Sequence, residues 1–181
     1  RSLPRWDAKP YATTQPNEAT SDRDVVLFTD TFNRWFESDN ARSAERVLRA
    51  AGYNVIAAST SDGEDRPLCC GRTYLASGML DEARAEARRT VKALAPHLAR
   101  GVPIVGLEPS CLLTMRDEFV ALLDDTERHG IEKHAVLFEE FLVNEHVAGR
   151  LDLDWQAIPQ TEALVHGHCH QKAFGVMGSV T

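Results

Sequence analysis

The chain has 181 residues, with 27 acidic against 20 basic side chains and a formal charge of −7. That is about one domain, long enough to bury roughly 70% of its unfolded surface without disulfides. The acidic balance, with no Lys/Arg run to track phosphates, excludes a nucleic-acid groove; no apolar run approaches the roughly 18 residues of a transmembrane helix, and no signal-like segment opens the chain. The location therefore reads as cytoplasmic. In a reducing compartment the four cysteines point to metal binding or thiol chemistry before a disulfide framework.

Residues 1–23 hold three prolines, at positions 4, 10 and 16, and no sustained period. They read as a linker or arm. Asp24 to Asp30 carries a short apolar run expected of a strand buried on both faces. Asn40 to Ala51 predicts a helix with Ala44, Val47, Leu48 and Ala51 on one face and Gly52 as its C-terminal cap. Tyr53 to Ala58 is a second strand, and Asp62 to Pro67 a loop that runs into Cys69-Cys70-Gly71. Adjacent side chains on a regular strand point to opposite faces, so both sulfurs serve one site only if the backbone turns there. Gly71, free to take positive φ, allows that turn.

From Leu80, apolar residues at Ala83, Ala87, Val91, Leu94 and Leu98 predict a long helix that Pro96 should kink or end. Pro103 to Leu107 is the third strand. It leads into Glu108-Pro109-Ser110-Cys111, where Ser110 reads as the N-cap of a helix striped by Leu112, Met115, Phe119, Leu122 and Leu123. A further helix is expected over Glu132 to Val147 and a fourth strand over Thr161 to His166. Strands alternating with helices imply an α/β, Rossmann-like open parallel sheet of about four strands with helices on both faces. Both ends of the chain read as interior to a longer protein.

In such a sheet, ligands bind at the carboxyl edge of the strands. Thr29 and Asp30, then Cys69 and Cys70, then Glu108 and Cys111, and finally His166, His168, Cys169 and His170 are all expected there. Neither G-x-G-x-x-G nor G-x-x-x-x-G-K-[ST] follows any strand, so the glycine-rich phosphate cradles are missing. Thiolates are soft ligands that select zinc, copper(I) or iron–sulfur clusters. A cysteine can equally be simple core, and a histidine here can simply bond a backbone carbonyl. The candidate metal-ligating residues are Cys69, Cys70, Cys111, Cys169, Glu108 and His168.

Leu68-Cys69-Cys70-Gly71-Arg72, Ser77-Gly78-Met79-Leu80, Gly106 to Leu113 and His166 to Ala173 together resemble the cysteine-rich CCG domain. That domain occurs in heterodisulfide reductase, in the iron–sulfur subunit of glycolate oxidase, and in the C-terminal part of FAD-linked oxidases acting on D-2-hydroxyacids of the D-lactate or D-2-hydroxyglutarate type. The likeness is nearest to the last group and spans about Val25 to Met177. It implies two Rossmann-like halves in tandem, with residues 24–181 holding the first half and the start of a second, led by Cys169. It also implies electron transfer from FAD, held outside this chain, through flavin and ferredoxin-like partner domains to an acceptor, with any membrane association arising through that acceptor. No catalytic acid or base is implied within the chain.

The chain departs from the family pattern in two places. Thr29 to Phe32 stands where the family has a cysteine, and Glu108 replaces the first cysteine of a C-x-x-C ending at Cys111. The first site is thereby reduced to Cys69, Cys70 and Cys111. Three thiolates plus a carboxylate or imidazole suit zinc, or an iron–sulfur cluster with one non-cysteine ligand; a degenerate site without metal is the third alternative. Thiol–disulfide chemistry ranks last, because a vicinal Cys69–Cys70 disulfide is strained and no C-x-x-C is present.

Overall fold

The structure, a computed structural model, describes residues 3, 5–13, 22–58, 60, 63, 66–157, 159 and 162–181. The elements run β1 (Asp24–Phe28), α1 (Thr31–Trp35), α2 (Ser38–Ala50), β2 (Asn54–Ala57), α3 (Arg72–Ala76), α4 (Leu80–Leu98), β3 (Ile104–Gly106), α5 (Pro109–Arg116), α6 (Glu118–Leu122), α7 (Asp125–Arg128), α8 (Ile131–His134), β4 (Ala135–Leu137), α9 (Phe138–Val147) and α10 (Cys169–Ala173), followed by a 3-10 turn at Met177–Ser179. The four strands form one sheet in the order β2-β1-β3-β4, every pair parallel. This is the Rossmann-like α/β sheet that the alternation of elements predicts.

The five residues of β1 are all buried, and their alternation divides the core. Val26 and Phe28 face a layer built from Ala87, Val91 and Leu94 of α4, Leu112 and Met115 of α5, Phe119 of α6 and Ile131 of α8. Val25 and Leu27 face Leu48 of α2, Phe141 of α9 and Tyr11. Each large side chain fully buried here, Phe28 and Phe119 among them, contributes roughly 1.5–3 kcal/mol. Gly106 matters for the close seating of α5 on β3: a Cβ there would overlap the Leu112 side chain.

The described part of the N-terminal segment is an irregular arm laid across α1 and α2. Asp7 N–H donates to Trp35 O at 2.7 Å and Tyr11 N–H to Arg34 O at 2.9 Å. The Asp7 carboxylate accepts from the N–H of Ser38, and the Tyr11 hydroxyl donates to Glu45 at 3.1 Å. Positions 1, 2, 4 and 14–21 of the expected linker lie outside the described residues.

Two elements differ from expectation. The helix expected over Glu132 to Val147 is divided into α8, β4 and α9. Ala135-Val136-Leu137 is too short a run to read as a strand, but its backbone completes the open edge of β3 in the register Ile104↔Ala135 to Gly106↔Leu137. That edge is then occupied. Among its described residues the strand expected over Thr161 to His166 does not form: residues 162–168 have no regular structure and Leu164 is fully exposed, while Thr161 lies outside the described residues. Pro96 lies inside the last turn of α4, which ends two residues later at Leu98.

Candidate metal and thiol site

Strand order reverses between β1 and β3, since the chain goes from β1 outward to β2 and returns to place β3 on the other side. The carboxyl ends flanking such a switch point form a crevice. A cavity of about 160 Å³ lies there, lined by Phe28, Asp30, Phe32, Cys69, Cys70 and Cys111 together with Thr31, Arg72, Thr73 and Ser110.

Each wall is fixed by local chemistry. After β1, Asp30 caps α1: its Oδ1 accepts from the N–H of Phe32 at 2.8 Å and of Asn33 at 3.0 Å, and its Oδ2 from the Asn33 amide at 2.7 Å. Burial pushes the Asp30 carboxyl above its ordinary value, against these hydrogen bonds. After β2, the thiol loop is clamped to α4. Thr90 Oγ1 donates to Cys69 O at 2.7 Å and Arg89 to Pro67 O at 2.9 Å. The buried Glu86 carboxylate holds Arg66 at 2.7 Å and Arg89 at 3.1 Å. Gly71 turns the chain with φ +74° and precedes α3 as its N-cap. This is the positive φ that two adjacent cysteines serving one site require. Residues 61, 62, 64 and 65 of the preceding loop lie outside the described residues.

After β3, Glu108 caps α5, with Pro109 at the first helical position. Ser110 is not the cap, as the sequence suggests, but a donor to it: its N–H and Oγ–H reach Glu108 Oε1 at 3.2 and 2.6 Å. A carboxylate two residues earlier reaches the free N–H of Ser110, and proline at the first position wastes no donor. Cys111 follows on the first turn of α5. The Cys70 thiol donates to Cys111 Sγ at 3.2 Å, and both side chains are buried. Cys69 is half-buried, its Sγ accepting from Gly71 N–H at 3.5 Å. The contact with Cys111 and burial raise the Cys70 thiol to about 12. Contact with Cys70, then burial, moves Cys69 up as well.

Of the six candidate ligands, the fold brings Cys69, Cys70 and Cys111 to one cavity. Glu108 borders a wider neighbouring depression lined by Phe32, Asn33, Leu107 and Ser110. His168 is the N-cap of α10, its Nδ1 accepting from His170 N–H at 3.1 Å and its Nε2 lying 3.7 Å from Glu108 Oε1. Cys169 is exposed on α10 and does not line the thiol cavity. Cys169 comes to the same edge of the sheet through α10, whose His168 cap lies against Glu108, but only three of the four thiols share the cavity. The clamp by Thr90, Arg89 and Glu86 has no sequence signature; within the α4 pattern these residues look like a solvated face.

Among the described residues, no three His, Cys, Asp or Glu side chains are already set at metal-holding distances. The donor chemistry nevertheless fits a soft ion or small cluster bound through three thiolates and one further ligand. A tetrahedral centre with ~2.3 Å metal–sulfur bonds separates its sulfurs by about 3.8 Å. Cys70 and Cys111, 3.2 Å apart, would have to open by about 0.6 Å to meet that spacing. A complement of four cysteines is not met.

The chain is similar to a subunit of an anaerobic glycerol-3-phosphate dehydrogenase. The relatives carrying that name come from Escherichia coli K12 and Escherichia coli O157:H7, each 23% identical over 180 residues. The match covers 97% of this chain but only 43% of each relative, so the chain spans less than half of their length. No protein-family model matches it, and no solved structure does. Among the described residues no helix is long and apolar enough to cross a membrane.

Proposed function

We propose that this domain binds a metal ion or iron–sulfur cluster through Cys69, Cys70 and Cys111 and serves electron transfer in a multi-domain dehydrogenase. The observation that carries the reading is the meeting of three thiols, two from the loop after β2 and one from the first turn of α5, at the topological switch point. Oxidation of a hydroxyl compound to a carbonyl releases two electrons and two protons. The 23% likeness to a dehydrogenase subunit favours a role in carrying those electrons. A bound cluster would accept and release them one at a time. The chain's own residues supply the thiolates and the clamp that holds Cys69 and Cys70 over α4, with Phe28 and Asp30 as the buried part of the cavity wall.

In the same proposal, residues 24–181 form the first CCG-type half with the opening of a second, and Cys169 belongs to the second set. Glu108 and His168, on the adjoining ledge, are the candidates for a non-thiol ligand. FAD and the flavin and ferredoxin-like domains lie in the parent protein. Its substrate is a D-2-hydroxyacid on the family resemblance, whereas the name of the relatives favours glycerol 3-phosphate. A second reading is a zinc-stabilised docking domain without redox activity, favoured by the donor set of three cysteines with Glu108 and His168 beside them.

Metal and acid-labile sulfide analysis of anaerobically purified protein, with its visible spectrum, separates these readings. Iron with sulfide supports electron relay, zinc near one per chain supports the docking domain, and absence of both refutes metal binding. Cys70→Ser should lower occupancy while His129→Ala, in the turn after α7, leaves it unchanged. Equal occupancy in the two variants would place the site elsewhere.

A further inference from the structure

We propose that Cys70 and Cys111 form a redox-active dithiol that closes to a disulfide when the site holds no metal. The two sulfurs are in direct contact at 3.2 Å, although 41 positions separate them in the chain. Formation of an S–S bond of ~2.05 Å requires an approach of about 1.1 Å, small enough for side-chain rotation. The pair is 3% and 9% exposed, and both members belong to the same packed core, so the surroundings hold the sulfurs together. The cavity beside them, which they share with the half-buried Cys69, admits a small oxidant. This contact replaces the strained vicinal pairing of Cys69 with Cys70 as the disulfide the fold favours.

The oxidant class is a peroxide. The Cys111 sulfur, which accepts the Cys70 S–H, attacks one peroxide oxygen; the O–O bond breaks, a sulfenic acid forms and water leaves. The Cys70 sulfur then attacks the sulfenic sulfur, the S–O bond breaks, and a second water leaves with the Cys70 proton. The net change is two thiols and one hydrogen peroxide to one disulfide and two waters, the thiols losing two electrons and the peroxide gaining them. The disulfide links the loop after β2 to the first turn of α5. It removes two of the three clustered sulfurs, so an oxidised chain takes up no metal; only this last consequence rests on the metal-binding reading.

The test is oxidation of the intact, chelator-stripped chain with one equivalent of hydrogen peroxide, followed by denaturing alkylation and peptide mapping. The denatured thiol count should fall by half from four, the intact mass should drop by two hydrogens, and the cross-link should join Cys70 to Cys111. Cys69→Ser and Cys169→Ser should still form it and a dithiol reductant should reverse it. A Cys69–Cys70 link, oxidation that stops at sulfinic acid, or four free thiols after treatment overturns the proposal. Zinc, or iron with sulfide, is then offered to the oxidised and the re-reduced chain. Uptake only after reduction is expected, and equal uptake in both states overturns the switch. If neither state takes up metal, the metal-binding reading and the switch built on it both fail, while the mapped disulfide stands.

Discussion

Gly71→Ala tests whether the thiol loop is pinned against α4, and Gly78→Ala is its internal control. The two glycines have nearly the same backbone angle, φ +74° and +73°, but different surroundings. A Cβ at Gly71 would lie 3.3 Å from Ala83 O and 3.5 Å from Glu86 Cβ, whereas at Gly78 nothing lies within 4 Å. At both sites alanine meets the left-handed cost of roughly 1–2 kcal/mol, partly offset by ~0.4–1 kcal/mol from the stiffer unfolded chain. Gly78→Ala should therefore destabilise by about 0.5–1 kcal/mol. At Gly71 the tight approach to backbone adds an overpacking cost, roughly 1–2 kcal/mol at the lower end of such effects.

For a domain of this size each kcal/mol moves Tm by about 2–4 °C. Thermal melts followed by far-UV circular dichroism should thus show a drop of roughly 6 °C for Gly71→Ala and roughly 2 °C for Gly78→Ala. Equal drops would refute the reasoning, since they would mean that Gly71 is not held against Ala83 and Glu86. The Gly71 variant should also slow the Cys70–Cys111 cross-link, because the turn that delivers Cys70 to Cys111 is displaced.

Two further outcomes concern the frame around the site. Thr90→Val removes the hydrogen bond to Cys69 O and should cost about 1 kcal/mol in urea denaturation with little change in slope; an unchanged midpoint would mean that the loop is held by Arg89 alone. Glu145 is paired with Arg150 at 2.6 Å and accepts from the Tyr53 hydroxyl. Chiefly through the Arg150 hydrogen bonds, its carboxyl is held below the ordinary value of 4.5. Because the folded value is depressed, its stabilisation is present above pH 4.5 and is lost as pH falls through the folded value. Glu145→Gln should flatten the acid limb of a Tm-against-pH profile below pH 4.5, and an unaltered acid limb would mean that Glu145 does not govern it.

Much of the frame is legible because it is written in local period. The buried run of β1, the stripe Ala83, Ala87, Val91, Leu94 and Leu98 along α4, and the turn residue Gly52 (φ +81°) past α2 each follow from residues within a few positions of one another. The short helices α1 and α3, five residues each, escape such reading. Asp30 and Gly71 start them, and neither helix is long enough to show a stripe.

Sequence by itself determined the α/β alternation, the apolar faces, the turn that Gly71 permits at the paired cysteines, and the placing of Cys69, Cys70 and Cys111 near strand ends. These depend on backbone sterics and side-chain periodicity, which act over a turn or a strand. Only the tertiary structure decided which segment completes the sheet, that Cys70 meets Cys111 across 41 positions, and that Cys169 is exposed outside the thiol cavity. Those outcomes rest on long-range pairing. Once Ala135–Leu137 takes the free edge of β3, that edge's hydrogen-bonding groups are used by β4, and the later apolar run around Leu164 stays exposed outside the sheet.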